Sequence, residues 1–325
     1  MLTSVLLFAV GLILLIKGGD WFVDGATGIA KRFNLPDIVV GATVVSIGTT
    51  LPEVMVSTTG ALSGSAAMAY GNAIGSIICN TALIAAISIV VKPGPVNVKS
   101  MKMPVIFFFI STALYCIASY ALGEFPRWMG FLMLSIFVIY TILTVRNGLK
   151  NPDAALEDDE EENNVSRALW QELILLVIGA AVIALGANLL VKHGQIIALE
   201  LGVPETVVAL LFVALGTSLP ELVTTITSLK KGRGSLGIGN VIGANIFNLV
   251  LVSGVAVSLA PFAVPCDNTL LETGLNMSLV FEIPVMIGVM LLMCIPALLS
   301  KKLGRWQGIT LLCIYATFTV CQFIL

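Results

Sequence analysis

Charge is what this 325-residue chain has least of. Asp, Glu, Lys and Arg together make up 11% of it, and it holds a single histidine. A soluble domain carries roughly 25% charged residues, so this chain cannot coat a water-facing surface and reads as a polytopic membrane protein. A net charge of −2 offers no basic patch, and no nucleic-acid partner is expected. The six cysteines, at 79, 116, 266, 294, 313 and 321, show no CxxC or paired zinc spacing and read as small apolar packing residues. HExxH, GxSxG and P-loop motifs are missing, which argues against a hydrolase or an ATP-driven pump. The chain is therefore not read as an enzyme, and no cofactor is called for. Segment 2–16 has neither a basic n-region nor an Ala-x-Ala cleavage site, so it reads as a retained first helix.

What is present is hydrophobic length: 58% of the residues are apolar and the mean hydropathy is +1.02. A spanning helix needs about 20 mostly apolar residues. Ten such helices fit, at 2–30, 37–62, 70–91, 103–122, 127–146, 168–192, 205–229, 236–260, 281–300 and 306–324. The Lys and Arg of the connections fall on one side, fourteen against two (Arg127 and Lys192). The positive-inside rule then puts both termini outside a cell membrane and the 150–167 linker in the cytoplasm. That linker's LEDDEEENN (156–164) reads as a solvated acidic hinge rather than a calcium sensor.

The chain also repeats itself. Ser46–Asn80, SIGTTLPEVMVSTTGALSGSAAMAYGNAIGSIICN, returns at Ala214–Asn248 as ALGTSLPELVTTITSLKKGRGSLGIGNVIGANIFN, at a constant offset of 168. The same offset relates 18–37 to 186–205 and matches Pro36 to Pro204. The expected organisation is a first five-helix repeat over 1–146, a linker over 147–167 and a second repeat over 168–325, with the repeated cores at about 41–84 and 209–252. Five is odd, so the second half enters the membrane from the opposite side. The predicted fold is an all-α polytopic membrane protein of ten transmembrane helices in two inverted five-helix repeats. Many secondary transporters are built so, with the site near the midplane.

Each copy carries a glutamate, Glu53 or Glu221, inside an apolar run. An acidic residue at the bilayer centre costs about 2.5–3.5 kcal/mol on insertion scales. Two of them facing each other across an inverted repeat need a cation between them, or one must take up a proton. Pro52 and Pro220 lack the N–H that the carbonyls of Gly48 and Gly216 would use, so the helix should kink or unwind there. Thr49 and Thr217 lie four residues before the glutamates and share their helix faces. Oxygens of these three kinds are what a hard cation such as Ca²⁺ takes, six to eight at a time. On the following helix Asn72, Ser76 and Asn80 form a polar stripe beside Gly71 and Gly75; its second copy is Asn240, Ala244, Asn248 beside Gly239 and Gly243. Matched stripes facing matched glutamates read as ligands. His193 reads as a solvated residue at a helix end.

GTTLPE and GTSLPE, with GNAIGS and GNVIGAN, resemble the α-repeats of the calcium/cation antiporter superfamily, nearest the prokaryotic, especially archaeal, sodium/calcium exchangers. The resemblance covers nearly the whole chain, including GRWQG at 304–308. It implies four clustered sites that hold one Ca²⁺ or several Na⁺ in turn. By position, Glu53 and Glu221 would be the shared carboxylates. Thr49 and Thr217 would give carbonyls to Ca²⁺, with Thr50 and Ser218 beside them. Ser46 and Ala214 would offer carbonyls to the inner and outer Na⁺ sites, Ser76 a hydroxyl to the inner one, and Asn80 and Asn248 would border the middle one. Three departures stand out: Ala244 where Ser is usual, Ile77 where Asn is frequent, and Asn248 where potassium-dependent relatives carry Asp. The last argues against K⁺ dependence.

The expected function is exchange of Na⁺ for Ca²⁺ by alternating access, with the first and sixth helices sliding over the rest, as the resemblance implies. Both ions are expected as substrates in a lipid bilayer, and a monomer as the functional unit. Ca²⁺/H⁺ antiport on the same glutamates is the alternative, although the proton-coupled branch carries an extra acid where this chain has Gly75 and Gly243. A channel or scaffold leaves the two acidic repeats unexplained.

Overall fold

A computed structural model describes residues 2–150, 167–201, 216–265, 269–270 and 275–324. The linker from 151 to 166 lies outside the described residues. The helices are α1 (Leu2–Arg32), a bent α2 (Asp37–Thr49 and Leu51–Leu62), α3 (Ala66–Val91), α4 (Val98–Leu122) and α5 (Arg127–Lys150). After the linker come α6 (Leu169–Glu200), α7 (Leu219–Lys230), α8 (Gly234–Leu259), α9 (Ser278–Ser300) and α10 (Arg305–Ile324). Seven of these are long and apolar enough to cross a membrane, and the bent α2 makes an eighth. The ten-helix expectation is met at that coarser level among the described residues: an all-α, multi-pass membrane protein. The seventh expected helix is described only from Gly216 onward.

Several boundaries move. The sixth helix runs on to Glu200 and not 192, so Lys192 and His193 lie within it rather than at its end. The fifth extends to Lys150. The fourth begins at Val98, where the Asn97 side chain accepts from the amides of Lys99 (3.1 Å) and Ser100 (3.3 Å). That cap satisfies donors a helix start leaves open. Lys192 and His193 are polar, but a helix can run past the hydrocarbon into water at no cost to its ladder.

The bend in α2 is 46° and falls at Thr50. Pro52 occupies the first turn of the second limb, where its missing N–H costs nothing. The expected kink is therefore present, and it makes a new helix N-terminus inside the protein. The α2–α3 and α7–α8 turns are closed by Gly64 (φ +81°) and Gly232 (φ +78°), 168 residues apart and both left-handed.

Wide, π-type turns recur at matched places. They span Asn80–Ala85 in α3 and Asn248–Val252 in α8, with another at Gly41–Val45 in α2. Such turns shift carbonyls off the normal ladder, and hydroxyls take some of them up. Ser46 Oγ donates to the Gly41 carbonyl at 2.7 Å, Ser253 Oγ to the Asn248 carbonyl at 2.9 Å, and Tyr140 Oη to the Ala42 carbonyl at 2.8 Å.

Helices α3 and α8 form the centre, with 72% and 83% of their apolar windows buried, against 28% for α1 and 22% for α6. The outer helices present Leu6, Ile13, Phe131, Ile142 and Val177 outward, a surface suited to lipid rather than water. Helices α1 and α6 run antiparallel in close contact. A Cβ at Gly186 would lie 2.8 Å from the Gly11 carbonyl, and one at Gly25 would lie 2.6 Å from the Glu172 carbonyl. The pair lies over both helix breaks, since Gly48 packs on Phe22 and Gly216 on Val191.

Two short antiparallel pairings join distant loops. Gly94–Pro95 pairs with Lys302–Leu303, and Glu124–Phe125 with Phe262–Ala263. These are copies of each other, because 94–95 corresponds to 262–263 at the 168 offset and 124–125 to 302–303 at 178. The second offset exposes a repeat the first does not: RWMG at 127–130 and RWQG at 305–308. Gly130 abuts Ser258 and the Gly254 carbonyl, while Gly308 abuts Val90 and the Ala86 carbonyl. Arg127 donates to the Leu259 carbonyl (3.2 Å) and Arg305 to that of Val90 (3.0 Å).

Replacing Gly186 with Leu should wedge α1 from α6. Overpacking of this kind costs about 1–3 kcal/mol, so the purified variant should melt several degrees lower in detergent. An unchanged melting temperature would show that the pair is loose.

Candidate cation site

The two helix breaks place one carboxylate each in the first turn of a new helix: Glu53 at the start of Leu51–Leu62 and Glu221 at the start of Leu219–Lys230. A helix N-terminus carries partial positive charge and favours an acid there. Both residues are fully buried, and all four carboxylate oxygens lack a hydrogen-bond partner. The two groups lie close enough to feel each other's charge; Glu53 faces Thr217, and Glu221 faces Thr49 and Thr50. No basic side chain among the described residues bonds to either one.

The other candidate residues gather around them. Thr50 and Ser218 occupy the breaks, buried, with hydroxyls that have no hydrogen-bond partner. Thr49 Oγ1 donates to Asn240 Oδ1 (3.1 Å), and Thr217 Oγ1 to Asn72 Oδ1 (3.4 Å). Ser46 Oγ lies 2.9 Å from the Asn240 carbonyl as well as bonding to Gly41. Asn80 is fully buried with both side-chain polar atoms free of partners. Asn248 donates to the Ala244 carbonyl (3.0 Å) and keeps an unpartnered Oδ1. Ser76 is buried on the same helix face as Asn80. Ala214 lies outside the described residues.

An unpaired buried polar atom is costly, and here there are many in one place. Most are oxygens of carboxylate, hydroxyl and carboxamide, a set that suits a hard cation, with the amide nitrogens of Asn80 and Asn240 among them. No cluster of three or more His, Cys, Asp and Glu fit for a metal occurs among the described residues. The arrangement sets neutral oxygens around two acids.

Sequence reasoning passed over a second polar cluster. Asn245 Nδ2 donates to Thr81 Oγ1 (2.7 Å) and contacts Met290 Sδ (3.2 Å), joining α8, α3 and α9. Thr81 follows Asn80 directly, and that adjacency was the available signal. Arg233 of the α7–α8 turn grips the buried Asp37, 3.1 Å to each carboxylate oxygen, and ties the start of α8 to that of α2. A cavity of about 220 Å³ between Pro36, Lys92, Asn97 and Ser235 holds none of the candidate residues.

The family described as "Sodium/calcium exchanger protein" matches residues 3–146 and 172–324 of this chain. An uncharacterized membrane protein of Methanocaldococcus jannaschii is 36% identical over 311 residues, covering 95% of this chain and 94% of its own. Sodium/calcium exchanger MaX1 of Methanosarcina acetivorans is 29% identical over 98% of both chains. Among solved structures, the sodium-calcium exchanger NCX_Mj soaked with 2.5 mM Na⁺ and 10 mM Sr²⁺ superposes with a TM-score of 0.79, at 32% identity and 97% coverage of both chains.

Glu53→Gln or Glu221→Gln keeps the shape of the site and removes one buried ionisable group. Each variant should melt above the parent by a few degrees in ion-free detergent buffer, because a desolvated like-charge contact is relieved. A lower melting temperature would mean that the carboxylates are held by partners.

Proposed function

Because the chain belongs to the sodium/calcium exchanger protein family, and so is a membrane cation antiporter and not an enzyme, we propose that it exchanges Na⁺ for Ca²⁺ at a site built on Glu53 and Glu221. The observation that carries this reading is the pair of fully buried carboxylates with four unpartnered oxygens at two helix breaks. Thr49, Thr217, Thr50 and Ser218 supply oxygens at the breaks. Ser46, Ser76, Asn80 and Asn248 extend the set along α2, α3 and α8, and Ala214 would join it by its position in the repeat.

Sharing two acids between both ions is what enforces exchange. Burying two ionised carboxylates without compensation is expensive, so an empty pocket closes only at a large cost. With Ca²⁺ or Na⁺ bound, the charge is balanced and the site can be sealed on either side. An uncoupled leak through the empty protein is suppressed by the same physics.

The architecture we infer is two inverted five-helix repeats, 1–146 and 168–325, joined by a cytoplasmic linker at 147–167. The antiparallel run of α1 against α6 and the crossed loop pairings support it. Alternating access then consists of α1 and α6 moving together across the breaks, where glycines at 48 and 216 leave shallow contacts. The lysines and arginines of the connections support termini outside a plasma membrane.

The test is ⁴⁵Ca²⁺ uptake into proteoliposomes loaded with Na⁺ and diluted into Na⁺-free buffer, beside a set carrying only a pH gradient. Uptake should follow Na⁺ and be lost, on the order of 100-fold or more, in Glu53→Gln and Glu221→Gln. Uptake driven by the pH gradient alone would replace Na⁺ with H⁺ as the coupling ion, using the same glutamates.

A further inference from the structure

Asn72 and Asn240 stand in the matched polar stripes and so among the candidate ligands, but their hydrogen bonds point to another role. Thr49 of the first half donates its hydroxyl proton to Asn240 of the second, at 3.1 Å. Thr217 of the second half donates to Asn72 of the first, at 3.4 Å. The two threonines and the two asparagines are each 168 residues apart, so this is one contact made twice, reciprocally.

An asparagine has a single acceptor oxygen and an amide that only donates. The orientation of Asn72 is fixed by its surroundings: its Nδ2 donates to the Glu53 carbonyl (3.3 Å) and to Ser57 Oγ (2.9 Å). A flipped amide would set oxygen against oxygen at that carbonyl. Asn240 has the matching orientation, but it is held by hydroxyls alone: Thr49 Oγ1 at 3.1 Å and Ser46 Oγ at 3.3 Å from its Oδ1, with its Nδ2 lacking a hydrogen-bond partner. Each carboxamide oxygen is thus already occupied by a threonine proton.

That proton matters to a cation. A hydroxyl free to rotate can turn its hydrogen toward a positive ion, whereas one whose hydrogen is committed has only lone pairs left to offer. Thr49 and Thr217 stand at the two chain breaks, where the helical ladder no longer fixes the backbone, and beside the glutamate of the other half. We propose that Asn72 and Asn240 are positioning residues: by taking the hydroxyl protons of Thr217 and Thr49 across the interface between the halves, they hold both breaks so that threonine oxygens face the cation between Glu53 and Glu221. This rests on the cation site proposed above. It deepens that reading by removing two residues from the ligand set and giving them the work of preorganising it.

A double-mutant cycle separates the roles. Ca²⁺ affinity is measured by titration calorimetry on the full-length protein in Na⁺-free detergent buffer, for the parent, Asn240→Leu, Thr49→Ala and the double variant, with ion-free melting temperatures alongside. Coupled neighbours depart from additivity by amounts that correspond to roughly 3- to 30-fold here. Each single change should weaken Ca²⁺ by about that factor, and the double variant should be no weaker than the worse single. In a Thr49→Ser background, which keeps the hydroxyl, Asn240→Leu should cost as much as in the parent. Losses that multiply in the double variant would make Asn240 a direct ligand and overturn the proposal. The same cycle on Asn72→Leu and Thr217→Ala decides the question independently if the first set fails to fold. A parent protein that binds no Ca²⁺ would overturn the site reading itself, which keeps the two failures apart.

Discussion

Two carboxylates sealed away from water, with no basic partner bonded to them among the described residues, set the terms for everything around them. Inside a membrane protein an acid needs a counter-charge, a proton or a set of donors. Here the fold supplies helix dipoles instead. Each glutamate lies in the first turn of a helix that begins within the protein, with a proline in the same turn. The partial positive charge of those starts is too small to neutralise an acid, so the shortfall remains, and it is this shortfall that the proposed cation would make up.

The halves of the protein complete one another. The loop after α3 pairs with the loop after α9, and the loop after α4 with the loop after α8. Arg127 and Gly130 of α5 close on the end of α8, as Arg305 and Gly308 of α10 close on the end of α3. The first limb of α2 packs along α8 so tightly that a Cβ at Gly239 would meet the Ile38 carbonyl at 2.3 Å. A carboxylate from each half, set beside hydroxyls of the other, follows from this interleaving. Neither repeat owns a site.

Much of this was legible because the informative residues are also the costly ones. A glutamate in an apolar run, a proline directly before it and a stripe of asparagines are rare enough to be read without coordinates, and the bend at Thr50 falls where Pro52 implied. The π-type turns at Asn80 and Asn248 were not legible, since an extra residue in a helical turn leaves no composition to see. The length of α6 was misread because Lys192 and His193 look like an ending, although long side chains reach water from within a helix. The RWMG and RWQG pair was hidden by ten additional residues in the second half, which carry the offset from 168 to 178. The orientation of Asn72 and Asn240 could not be read at all, because a polar stripe names the residues and not which atom of each faces which neighbour.

The departures from symmetry are as physical as the symmetry. At one end of the molecule Lys231, in the α7–α8 turn, bonds Asp24 (2.6 Å) and the Asp20 carbonyl (3.0 Å) of α1. Its counterpart is Ser63, whose hydroxyl closes on the Gly60 carbonyl of its own turn (2.9 Å). An exposed pair of this kind contributes roughly 0.2–1 kcal/mol, little beside the core packing but the same order as a modest bias between two arrangements of α1. Inside, Ile77 stands opposite Asn245 in the repeat, so the bond from Asn245 to Thr81 has no mirror. A duplicated fold with identical contacts at both ends would hold its two arrangements at equal energy. Unequal contacts on an equal frame would let the two arrangements of the proposed exchange cycle differ by a small amount without disturbing the acids at the centre.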